Sequence, residues 1–289
     1  MISTEVIASR IENLPTLPVA VSQLIRLTAS NETSLNDFEK VIRPDPALTA
    51  NILKVANSVA YRGVREITSV KDAVGRLGMR GVFDVAAGYA FAKVLPDRLP
   101  GYELDAHSFW QHSVAVAVFC QKLLKNSLGA QAPDLAFTAG LLHDLGKLVI
   151  CFFLEEKASE VQSVLDLGKL TYVNAERKAL GTDHAEVGIA VARKWSLPHG
   201  VGIAARWHHQ PDQAPDADRQ LANGVHVANC LAHTFGFGAD VGELHRSIQP
   251  SAMSELRLTV KDLERIASES LGEIYDLSAA LASAKGARP

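Results

Sequence analysis

Apolar residues recur along this chain at intervals of three and four, the spacing of one face of an α-helix, and nowhere alternate with polar ones over a strand's length. Val6, Ile7, Ile11 and Leu14 predict a helix over Thr4 to Leu14, after which Pro15 and Pro18 break and restart the chain. Val21, Leu24, Ile25 and Thr28 predict a second helix, to about Ala29. Ser34 with Asp37 three residues later has the form of a capping box and opens a short helix through Phe38, Val41 and Ile42. Asp45-Pro46 opens the next, carried by Leu48, Ile52, Leu53 and Val55 and ending at Asn57-Ser58. Ser69 and Asp72 open another that Gly78 should stop, and a further helix runs from about Arg80 to Leu95.

Pro96, Pro100 and Gly101 then mark a loop. Beyond it a helix from about Ala106 to Lys125 buries Phe109, Val116 and Phe119, with His112 on the same face. The next helix starts after Pro133-Asp134 and carries His143 and Asp144; Glu155 to Leu167 is amphipathic. Gly181-Thr182-Asp183 opens a helix with His184 in its first turn. Pro198 opens one that ends in Trp207-His208-His209, which Pro211 prevents from continuing. After a polar loop over 210–218, Leu221, Val225, Ala228, Ala232 and Phe235 line one more helix, stopped by Gly236. Thr259 with Asp262 opens the last, and Lys285 to Pro289 reads as a frayed tail. The pattern predicts an all-α protein of two packed lobes joined near Pro96–Gly101. The domain expectation is residues 1–100 for the first lobe, 101–240 for the second and 241–289 for C-terminal helices.

Composition narrows the class. The chain has 289 residues, enough for a sizeable core, and a net charge of −3 from 29 basic and 32 acidic residues. These charges are mixed, with no Lys/Arg block, which argues against a nucleic-acid partner. Cys120, Cys151 and Cys230 are far apart in apolar surroundings, as reduced core thiols would be. The start lacks the basic and apolar segments of a secretory leader, and the apolar run Leu148 to Leu154 is too short to span a bilayer. The expectation is a cytoplasmic protein with no membrane contact.

The candidate chemistry centres on Ala139-Gly140-Leu141-Leu142-His143-Asp144-Leu145-Gly146-Lys147-Leu148. Adjacent imidazole and carboxylate can meet one cation, and Lys147, three residues on, can hold a phosphate oxygen. His112, His184, His208 and His209 join them as candidates. Taken singly, each is more often a satisfied core or helix-end histidine. Taken together, imidazoles at helix ends and on inward faces suit a divalent transition metal (Fe, Mn, Ni or Zn, one or two ions) better than Mg or Ca.

The order His, His-Asp-x-x-Lys, His, His-His resembles the HD superfamily of metal-dependent phosphohydrolases, especially its HD-GYP cyclic-dinucleotide phosphodiesterases. In the first half, Leu14-Pro15-Thr16-Leu17-Pro18, Arg43-Pro44-Asp45-Pro46-Ala47-Leu48-Thr49, Asn51 to Ser58 and Ile67 to Gly78 are similar to the HDOD family. The resemblance covers about residues 10 to 235. It implies an HD-like second lobe with His112, His143, Asp144, His184, His208 and His209 as metal ligands and Lys147 as the phosphate lysine. Two positions depart from the superfamily's pattern. Asn229 stands where a closing Asp is expected, and Ser108 where HD-GYP enzymes have a glutamate four residues before the first histidine. Asn229 offers only a neutral amide oxygen, so one metal position should be weakly held. The implied function is a bacterial signalling module that binds a signalling protein and keeps a degenerate metal site. The alternative is a metal-dependent phosphohydrolase acting on a small phosphoester, a nucleotide or cyclic dinucleotide.

Overall fold

The computed structural model describes residues 2–28, 33–61, 63, 65–165, 171–238 and 247–282. Its described residues form fifteen α-helices and one two-stranded hairpin, and divide into two compact units. Residues 1–14 and 96–270 make the first unit; residues 15–95 and 271–289 make the second.

The second unit contains α2 (Val19–Thr28), α3 (Leu35–Ile42), α4 (Pro46–Ala56), α5 (Val70–Val94) and the end of α15 (Val260–Ala282). Its helix starts follow the capping residues. Asp37 accepts hydrogen bonds from the Ser34 N–H and hydroxyl, Asp45 accepts from the N–H groups of Ala47 and Leu48, and Ser69 accepts from Asp72 N–H. At Gly78 the backbone leaves helical geometry, with φ 71° and ψ 166°, so α5 is two helical stretches that meet at a break there, as the sequence pattern predicts. Past the end of α4, the Asn57 side chain pairs with both the N–H and the carbonyl of Ile67, at 2.8 Å each, and holds the chain leading to α5.

The first unit, which holds every candidate residue, is built round α6 (Ala106–Leu128). Its stretch Ser113 to Cys120 is buried on every side, as befits a helix apolar all round. With α1 (Thr4–Glu12), α7 (Ala136–Leu141), α8 (Lys147–Glu156), α9 (Ala158–Leu165) and α10 (Tyr172–Leu180) this unit continues through α11 (His184–Lys194), α12 (His199–Trp207), α13 (Arg219–Thr234) and α14 (Pro250–Glu255). Both α7 and α13 pack on α6. A Cβ on Gly140 would sit 2.8 Å from the Ala117 Cα, so α7 reaches α6 backbone to backbone.

Arg98–Leu99 (β1) pairs antiparallel with Leu104–Asp105 (β2), a hairpin too short for any alternation to announce it and compatible with the expected all-α class. One expectation is corrected. His143 and Asp144 are not helical: α7 stops at Leu141, residues 142–146 form turns, and α8 begins at Lys147. The turn brings Gly146 so close to α11 that a Cβ there would run into the His184 carbonyl oxygen, so only glycine fits at the start of α8. The expected tail over 285–289, and residues 166–167 at the end of the Glu155 segment, lie outside the described residues. Among the described residues, no helix is long and apolar enough to cross a membrane.

Candidate metal centre

A helix end leaves carbonyls unsatisfied, and two of the candidate histidines meet such groups. His208 caps the end of α12, where its Nδ1 donates to the carbonyls of Ala204 and Ala205 at 3.1 and 3.0 Å. His143 Nδ1 donates to the Gly140 carbonyl near the end of α7, at 2.7 Å. On α6, His112 Nδ1 donates to the Phe237 carbonyl at 3.0 Å, where Gly238 leaves it room. His184 opens α11, capped by Asp183, which Arg177 holds at 2.5 Å. Its free N–H and its Nδ1 both donate to Glu176 on α10, at 2.7 and 2.8 Å. With every Nδ1 occupied, the Nε2 atoms of these four imidazoles are left for the interior.

They converge on Asp144. Its Oδ2 lies 3.3 Å from His143 Nε2 and 4.0 Å from His112 Nε2; its Oδ1 lies 3.3 Å from His184 Nε2 and 3.6 Å from His208 Nε2. His209 Nε2 approaches His184 Nε2 to 2.8 Å. The ligand atoms fall into two groups, His184–His208–His209 and His112–His143–Asp144, each within 4.8 Å internally. All are buried except half-buried His209. Lys147, only 3% exposed, sets its ammonium 2.9 Å from Asp144 Oδ2 and over the Tyr102 ring.

Asn229 lies buried on α13, one turn before His233, whose ring stacks 4.5 Å from that of His112. Ser108 belongs to the cap of α6: its N–H donates to Asp105 at 2.7 Å. Glu176 and Tyr102 escaped the sequence reading. Glu176 is fully buried, and Tyr102 donates to it at 2.5 Å from the hairpin. An ionisable residue eight positions before His184 was the available signal, but no motif marks it.

The electrostatics suit a cation. Burial opposes the charge on Asp144, yet the neighbouring His143 and Lys147 hold its carboxyl well below the usual range. Burial, then the adjacent His143, pushes His112 down to about 3 and keeps its lone pair free. Burial also works against a charged His184, but the Glu176 and Asp144 carboxylates outweigh it and raise that imidazole to about 10. A divalent ion would meet the same attraction that holds this proton.

The donor set therefore fits a metal. His112 Nε2, His143 Nε2 and Asn229 Oδ1 are buried without a hydrogen-bond partner, an expensive condition that a bound cation removes. Nitrogen donors with one carboxylate are the chemistry of first-row transition ions. Such an ion would supply Lewis-acid charge and lower the pKa of a bound water. The protein's own contribution is orientation: carbonyls and Glu176 fix the tautomers, and packing excludes bulk solvent.

Comparison with known proteins agrees on the fold. A Geobacter sulfurreducens HDOD domain protein of unknown function superposes with a TM-score of 0.74 at 26% identity, over 98% of this chain and 99% of that one. A candidate phosphohydrolase of Shewanella amazonensis superposes with a TM-score of 0.74 at 23% identity, over 95% and 97%. A candidate signal transduction protein of Marinobacter aquaeolei gives 0.76 at 23% identity, over 97% and 65%. A Treponema pallidum protein of uncharacterised function is 28% identical over 273 residues, 89% of this chain; the chain spans about half the length of that relative. The HDOD domain profile itself matches residues 14–211, so the chain belongs to the HDOD domain family.

Proposed function

We propose that this chain is a regulatory HDOD module that holds a divalent transition metal in an HD-type site and passes a signal to a protein partner. In this reading it does not hydrolyse a phosphoester at an appreciable rate. One observation carries it: buried imidazoles converge on Asp144 with their Nδ1 atoms already committed to backbone or carboxylate acceptors. Such pre-orientation serves a ligand, not a core. Lys147 supports the absence of turnover, because its ammonium is taken up by Asp144 and is only 3% exposed. The signalling role draws on the family and on the description of the similar Marinobacter protein.

A second reading, a phosphohydrolase acting on a nucleotide or cyclic dinucleotide, is favoured by that lysine's position. An ammonium beside the ion is where charge on a phosphoryl oxygen would be balanced. Elemental analysis of the purified protein should find a bound transition metal that Asp144→Ala loses. Cyclic dinucleotides and simple phosphoesters, supplied with Fe, Mn or Ni, should not be turned over. Robust turnover that Asp144→Ala abolishes would promote the enzyme reading, and a protein free of metal under all these conditions would refute both.

A further inference from the structure

The two groups round Asp144 share a carboxylate but not an environment. On the Oδ1 side stand His184 and His208, with His209 reaching His184 at 2.8 Å. Glu176, fully buried, accepts from His184 Nδ1, so a second negative charge stands directly behind this group. A carboxylate behind a ligating imidazole makes it a stronger donor. On the Oδ2 side stand His112 and His143, backed only by the neutral carbonyls of Phe237 and Gly140. The Lys147 ammonium lies 2.9 Å from that same Oδ2. A metal bonded to Oδ2 at about 2.1 Å would lie within about 5 Å of the ammonium, close enough for strong repulsion in a buried site.

We infer that the cluster is two unequal cation sites: a tight one of Asp144 Oδ1, His184, His208 and His209, and a weak one of Asp144 Oδ2, His112 and His143, where Lys147 already serves as the cation. This assignment rests on the proposed metal centre and adds to it a stoichiometry and a cause. Access agrees with it, since half-buried His209 belongs to the tight group while His112, His143 and Asp144 are all buried. An adjacent unit charge displaces a protonation equilibrium by 1–3 units, so the second site should bind about 100-fold more weakly than the first.

The test uses the whole 289-residue chain, stripped with chelator and titrated with Co²⁺ while heat and the cobalt visible spectrum are followed. The unmodified protein should take up one tight equivalent. Lys147→Met, which keeps the side chain's length and removes its charge, should take up two. His209→Ala should lose the tight equivalent, whereas His112→Ala should keep it with an unchanged spectrum. If Lys147→Met fails to fold, because removing one member of a buried ion pair strands the other, the His209→Ala and His112→Ala pair still decides. Two equally tight ions in the unmodified protein, a single ion in folded Lys147→Met, or equal losses in the two histidine variants would overturn the assignment and leave the metal centre standing. No cobalt uptake by the unmodified protein would remove the centre itself.

Discussion

At the scale of single residues, what matters is which charges the buried site contains. Asn229 is neutral and buried, and its Oδ1 meets no hydrogen-bond donor. Asn229→Asp should move two measurements in opposite directions. Without metal, a buried carboxylate lacking a partner should lower the melting temperature, at a cost of about 3 kcal/mol. With metal, the added charge should tighten binding at least tenfold. Equal affinity in the two proteins would place Asn229 outside the coordination sphere. Glu176 teaches the complementary lesson. Its importance comes from a fold that brings α10 to the start of α11, and a glutamate in Ala175-Glu176-Arg177 looks like any solvated helix residue.

At the scale of elements, short-range chemistry sets the helix starts and long-range packing sets where helices break. Asp105 caps α6, the helix that carries His112, by accepting from the Ser108 N–H. That hydrogen bond lowers its carboxyl below the ordinary aspartate value. A lowered folded-state pKa stabilises the native protein above the unfolded value of about 3.9 and ceases to do so as pH falls through the folded one. Asp105→Ala should therefore cost about 1 kcal/mol near pH 7, and the gap between variant and parent in thermal melts should close below about pH 4. A gap that stays constant down to pH 2 would show that the carboxylate is not the cause. The capping pairs Ser34–Asp37, Ser69–Asp72 and Thr259–Asp262 were legible in the sequence because each acts within one turn. They made the helical class legible, and the histidine spacing showed the order of the candidate ligands. The turn at 142–146 was not legible: periodicity carries straight through it, and the close approach of Gly146 to α11 is a contact between segments distant in sequence. The break at Gly78 was legible, because glycine leaves helical backbone angles at the least cost, although the helix resumes directly beyond it.

At the scale of the whole molecule, the first unit gathers donors from α6, the 142–146 turn, α11 and the end of α12, segments the unfolded chain holds far apart. An ion that binds only the native arrangement stabilises it by mass action, by about 2.7 kcal/mol at a hundredfold excess over its dissociation constant. Saturating Co²⁺ should raise the melting temperature by several degrees, and excess chelator should reverse the rise. A melting temperature indifferent to both would contradict a site formed only on folding. The backbone around half-buried His209 adds a kinetic consequence to the proposed site. His226 Nδ1 donates to the His208 carbonyl at 2.8 Å and accepts Gln249 N–H on its other nitrogen at 3.0 Å, while the Gln249 amide reaches the His209 carbonyl at 3.4 Å. These bonds tie the backbone of the His208–His209 pair to α13 and to Gln249. In the proposed site, release of an ion would then follow the rate of a local opening of that backbone, and the protein would be a slow record of past metal supply more than a gauge of the present one.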